Sequence, residues 1–205
     1  MSEHSHTFSM GITSRQFEII QASGKILINK GVTGLTIKAL AAEMGFVESA
    51  LYRHFKSKED ILILMIQYLQ QNVQDRIEPI AHSDENPVQK IKMIFESQFR
   101  FLNENRHFVI AMMSEGLLDE SDGIKNEAIK LFLYKMPIIY RLLTEGIEQQ
   151  LITPIISTEA MLHFLIGGFR TLIFRWKMTG FLLDVEKVGN QMVEDFFTLI
   201  KQNTK

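Results

Sequence analysis

The stretch from Thr36 to Lys58, TIKALAAEMGFVESALYRHFKSK, constrains the chain more than any other. Thr36 stands where a side-chain cap opens a helix. Ile37, Leu40, Ala41 and Met44 follow at the three, four and seven spacing of one apolar helix face. Gly45 supplies the backbone freedom for a tight stop, and a second short helix follows. There Leu51 and Phe55, four apart, turn inward, while Glu48, Ser49, Tyr52 and Arg53 take the opposite face. Two short helices joined by a glycine turn, with a polar face ending in Arg53, His54, Lys56 and Lys58, make a helix-turn-helix pattern suited to a DNA groove.

The continuation Leu51-Tyr52-Arg53-His54-Phe55-Lys56-Ser57-Lys58-Glu59-Asp60-Ile61, with Thr36 and Leu40-Ala41 upstream, resembles the TetR family of bacterial transcriptional repressors. The resemblance runs from about Ser14 to Ile61. It implies an all-α homodimeric DNA-binding regulator, released from a palindromic double-stranded operator by a small, mainly apolar effector. It also carries DNA contact onto Thr36, Lys38, Glu48, Ser49, Ala50, Tyr52, Arg53, His54 and Lys58. By their chemistry Tyr52, His54 and Lys58 suit phosphates, whereas Lys38 and Arg53 suit guanine O6 and N7. Two positions depart from the family pattern. Val47 stands where a hydroxyl residue often starts the recognition helix, and Glu48 where a polar or basic residue is usual.

Charge agrees with that reading once it is localised. The 205-residue chain carries a formal −2, yet between Lys30 and Lys58 five cations stand against only Glu43 and Glu48. A cationic patch on an acidic body concentrates attraction for DNA on one surface. Without cysteine the chain forms no disulfide or thiolate-held zinc site. It has neither a signal-peptide pattern nor an apolar run of bilayer length, so a soluble cytoplasmic protein with no membrane partner is expected. No Gly-rich phosphate loop, His-Glu-x-x-His or Gly-x-Ser-x-Gly occurs, so no enzyme activity, cofactor or metal is expected.

The expected organisation is a flexible arm over 1–12, a three-helix DNA-binding head over 13–56, and a helical ligand-binding and dimerisation domain over 57–205. The first helix runs from about Thr13 to Lys30, with Phe17, Ile20, Gly24 and Leu27 on one face and Gly31 as its stop. Ser57 caps a long helix reaching Arg76 and ending before Pro79. Further helices are expected from Pro87 to Asn105, from His107 to Leu117, and from Ile124 to Gln150. The last two should cover Ser157 to Thr179 and Asp184 to Gln202. An acidic break covers Glu115 to Gly123, and Pro137 should kink or divide the helix that contains it.

Stripes of Phe and Met in the middle of the chain are usually core. The resemblance makes Phe95, Gln98, Phe99, Phe108, Met112, Met113, Phe132, Met136 and Tyr140 candidates for a ligand pocket. Arg100, His107, His163 and Arg170 are further polar anchors. The Ser157 to Thr179 helix is apolar nearly all round, so its second face calls for a partner. Phe164, Gly167, Gly168 and Phe174, with Met192 and Phe196 of the last helix, are the candidate dimer seam. Two rival readings share this pattern. One is a DNA-binding regulator without a ligand, the other a helical lipid- or drug-binding protein with a vestigial DNA head.

Overall fold

The computed structural model describes residues 13–113 and 121–201. The expected arm, the end of the His107 helix, the acidic stretch as far as Glu120 and Gln202 at the end of the last expected helix lie outside them. The helices are α1 (Ser14–Gly34), α2 (Ile37–Met44), α3 (Glu48–Tyr52), α4 (Lys58–Ala81), α5 (Pro87–Glu104), α6 (Arg106–Met112), α7 (Asp122–Glu148), α8 (Thr158–Met178) and α9 (Val185–Ile200). The architecture is all-α. Among the described residues the only strand-like pairing is one isolated bridge between Ile152 and Lys201.

The head closes on itself through local signals. Thr13 and Gln16 form a reciprocal capping box at the start of α1, with Thr13 Oγ1 accepting from Gln16 N at 3.2 Å and Gln16 Oε1 from Thr13 N at 2.9 Å. Gly31 leaves helical geometry (φ 67°, ψ −172°), so regular helix stops after Lys30 and only a short turn continues to Gly34. The Thr36 hydroxyl accepts from Ala39 N at 3.0 Å, and Gly45 takes the left-handed conformation that ends α2. Leu51 and Phe55 both point into the core.

Three expectations are corrected. Ser57 occupies the cap position of α4 but makes no side-chain cap bond; Asp60 reaches back instead, accepting from Lys56 N at 2.6 Å. Pro79 does not end α4, which continues to Ala81. Pro137 does not divide α7. Both prolines are exposed, as are Asp75 and Leu133, whose carbonyls lose a partner to the missing N–H, so each helix passes its proline on a side open to solvent.

The body packs α5 against α9, α4 against α7, and α8 against α7 and α9. One continuous core runs from Ile19 in the head to Ile200. Inside it the rings of Phe95, Phe99 and Phe169 meet at centroid distances between 5.4 and 6.3 Å. Gly189 lets α9 lie directly on Phe99, since an added Cβ would sit 2.5 Å from that ring.

Head and body also meet where α6 packs on α1. His107 is buried there against Gly24 and beside Phe108, and its Nε2 has no hydrogen-bond partner among the described residues. Burial disfavours the charged ring and lowers its pKa to about 4. Because the folded value lies below the unfolded one of about 6.5, the unfolded chain binds more protons between the two. Stability should be complete above about pH 6.5 and fall as pH drops toward 4, by at most about 3 kcal/mol from this group. Denaturant titrations of wild type and His107→Gln across that window should show a shallower loss in the variant. Parallel curves would contradict the assignment.

Candidate DNA-binding face and ligand cavity

The turn brings Thr36 and Lys38 at the start of α2 onto the head's exposed surface, together with Glu48, Ser49 and Tyr52 of α3 and Arg53 and His54 just beyond it. Ala50 is half-buried. Lys58 is half-buried at the first position of α4. Val47, 70% exposed, leaves the start of α3 without a side-chain cap, as its apolar side chain requires. Glu48 is the acidic group of that first turn. Behind the face, the Arg15 guanidinium lies 4.2 Å from the Phe46 ring centroid and pins α1 to the turn. Lys25 offsets Glu43 at 3.5 Å, leaving Glu48 as the carboxylate of the exposed face.

A cavity of about 440 Å³ opens between α4, α5, α6, α7 and α8. Of the predicted ligand residues, Gln98, Phe108, Met112, Met113, Phe132 and Met136 line it. Phe95, Phe99 and Tyr140 do not. The two phenylalanines are consumed by the ring cluster with Phe169, and Tyr140 is exposed on α7. The other anchors divide as well. Arg170 lines the cavity, Arg100 pairs with Glu96 at 2.6 Å, His163 is exposed, and His107 faces α1.

Sequence reading missed Lys125 and Lys135, both in the cavity wall. A signal existed: Lys135 is the lone charge in the run Leu131 to Ile139, and Lys125, Ile129, Phe132 and Met136 follow helical spacing. Burial, and secondly Arg76, lower the Lys135 pKa to about 8. Arg76 itself is lowered to about 10, mainly by burial.

Beneath α8 and α9 a second, shallower groove of about 690 Å³ includes Phe164, Gly168, Met192, Phe196 and Leu199 in its lining. Phe164 is 64% exposed, Phe174 51% and Leu199 77%. Gly168 is used inside the subunit, where Met192 Sδ would lie 2.9 Å from an added Cβ; Gly167 faces open space.

Residues 19–65 match the model of the family described as bacterial regulatory proteins, tetR family. The head over these residues is that of the TetR family. It is 25% identical over 202 residues to the uncharacterized HTH-type transcriptional regulator YerO of Bacillus subtilis (strain 168), across 93% of this chain and 66% of that protein. It is 29% identical over 121 residues to the nucleoid occlusion factor SlmA of Photobacterium profundum, across 58% of this chain and 62% of that one. The chain thus spans a little under two thirds of these relatives' length. The fold is shared with the transcriptional regulator FadR from Bacillus subtilis in complex with stearoyl-CoA, at a TM-score of 0.77 and 20% identity over 90% of this chain and 98% of that one. Among the described residues, no helix is long and apolar enough to cross a membrane, and no His, Asp and Glu cluster suits a metal.

Glu48 supplies a test of the reading face. Its charge suits the positive start of α3 and opposes DNA phosphate. Glu48→Gln is expected to strengthen binding on every sequence alike, measured by competition across all four bases at fixed salt. A loss of about 1–3 kcal/mol in discrimination at one base pair of each half-site would instead make Glu48 a reader of cytosine N4.

Proposed function

We propose that the chain is a homodimeric transcriptional repressor, acting in the cytoplasm, that a small and mainly apolar ligand releases from a palindromic operator. Residues 13–56 read DNA, and residues 57–205 bind ligand and pair the subunits. The observation that carries this reading is α6, which lines the cavity through Phe108 and packs on the head through His107. A ligand that rearranges α6 acts on α1 without an intermediary. It must bind the DNA-incompetent arrangement better than the competent one, since equal affinity shifts nothing. That the FadR of similar fold was solved with stearoyl-CoA supports a long apolar ligand in such a body.

The uncovered apolar residues of α8 and α9, on the face turned away from their own core, support dimerisation. Gly167 offers room for a second helix there. Two linked heads then bind successive major grooves with an effective concentration that one head lacks. Random-sequence selection should recover inverted repeats. Phe164→Asp or Phe174→Asp should weaken self-association and operator binding together, read by sedimentation and by salt-controlled DNA titration. An unchanged dimer in both variants would move the interface elsewhere.

The likeness to a nucleoid occlusion factor supports a second reading, a DNA-binding regulator that needs no ligand. The two part on whether any compound that fills the cavity lowers operator affinity.

A further inference from the structure

Among the described residues, the polar side chains of the cavity share one property: each has a donor to offer. Gln98 settles this. Its Oε1 accepts from Arg76 Nη2 at 3.1 Å, and a guanidinium offers only N–H groups, so the amide must turn its oxygen to Arg76. The Gln98 NH₂ is left for the cavity, which Gln98 lines. Lys125, Lys135 and Arg170 complete the polar wall, and among the described residues the lining includes no Asp, Glu, Ser, Thr or Asn.

None of these three cations has a hydrogen bond or ion pair among the described residues. Arg76 adds a fourth charge behind Gln98. Its donors go to neutral acceptors, Asn72 Oδ1 at 2.7 Å and Ser97 Oγ at 2.9 Å besides Gln98, and its face covers the Phe101 ring. Lys125 and Arg170 are exposed at the cavity's edge, Lys135 is half-buried with Arg76 acting on it, and among the described residues no carboxylate offsets them. Like charges in a partly desolvated site repel, and an anion relieves both the repulsion and the unfilled donors. A lipophilic cation meets the opposite situation.

We propose that the cavity receives an amphiphile with a single carboxylate headgroup, held by Lys135 and the Gln98 NH₂ with Arg170 on the α8 wall. The apolar part of such a ligand lies among Leu69, Leu102, Phe108, Met112 and Phe132. This rests on the ligand-responsive reading above and gives it a chemical class. The charged group acting on Lys135 is Arg76 of α4; Arg170 of α8 and Lys125, ten residues earlier on α7, share the cavity lining, and the described residues of α5 and α6 contribute no titratable side chain to it.

The test is calorimetric binding to the full chain without DNA, using dodecanoate, dodecanol, dodecyltrimethylammonium and dodecanoyl-CoA. Dodecanoate should bind at least about tenfold more tightly than the alcohol or the ammonium, the step expected of a charge-assisted hydrogen bond. Lys135→Met, which removes an unpaired charge and keeps the volume, should cost dodecanoate about ten- to a hundredfold and leave dodecanol unchanged. Lys135→Arg should retain dodecanoate. Above pH 8 wild type should lose affinity as the ammonium deprotonates, and Lys135→Arg should not. Equal binding of the alcohol or ammonium, preference for the thioester, binding of none of the four, or an indifferent Lys135→Met would each overturn the proposal. Operator titration in parallel keeps the two readings apart. Dodecanoate that binds as described without releasing DNA sinks ligand-driven release alone; release by dodecanol alone sinks the carboxylate alone.

Discussion

At Gly24 the backbone of α1 runs so close to α6 that an added Cβ would lie 2.9 Å from the His107 ring. Packing of that kind is not compressible, because interiors are filled to crystal-like density and a shift of α6 must be answered by α1. The next residue along, Phe108, stacks on Phe101 and Tyr68 and forms part of the cavity wall. One turn of helix therefore touches both the head and the cavity. At the other end of α6, Lys177 of α8 donates to the Met113 carbonyl at 2.7 Å. The short helix is held by α4 and α5 as well as by α1 and α8.

Within the body, the same economy of space separates core from cavity. Phe95, Phe99 and Phe169 fill the interior beneath Gly189, and no room remains there for a ligand. The methionines and Phe132 line open space instead, alongside lysines whose charge nothing in the described wall neutralises. Burying an unpaired ammonium costs stability, and the depressed Lys135 value records that cost. Sites that hold such strain are places where binding energy is available for a conformational preference.

Local signals made the head legible. Thr36, Gly45, Leu51 and Phe55 act through neighbours three to five residues away, and their roles follow from spacing alone. Pro79 did not end α4 and Pro137 did not divide α7; both sit on exposed positions, which spacing does not tell. The cavity was half legible. Phe95 and Phe99 differ from Phe108 only in what faces them across the body, and Gly189 lies far along the chain. Ser57 marks the same limit at short range: its hydroxyl makes no cap bond, and Asp60 accepts from Lys56 N.

The account turns on a body that sets the separation of two heads, and the chain's lack of cysteine makes that separation directly measurable. A spin label on Gln21→Cys, on the exposed side of α1, reports the distance between heads by pulsed dipolar spectroscopy. With operator bound, the account predicts one narrow distance, set by the spacing of successive major grooves. Adding dodecanoate should displace or broaden that distribution as DNA is released. Absence of dipolar coupling, or one unchanged distribution with and without the ligand, would contradict it.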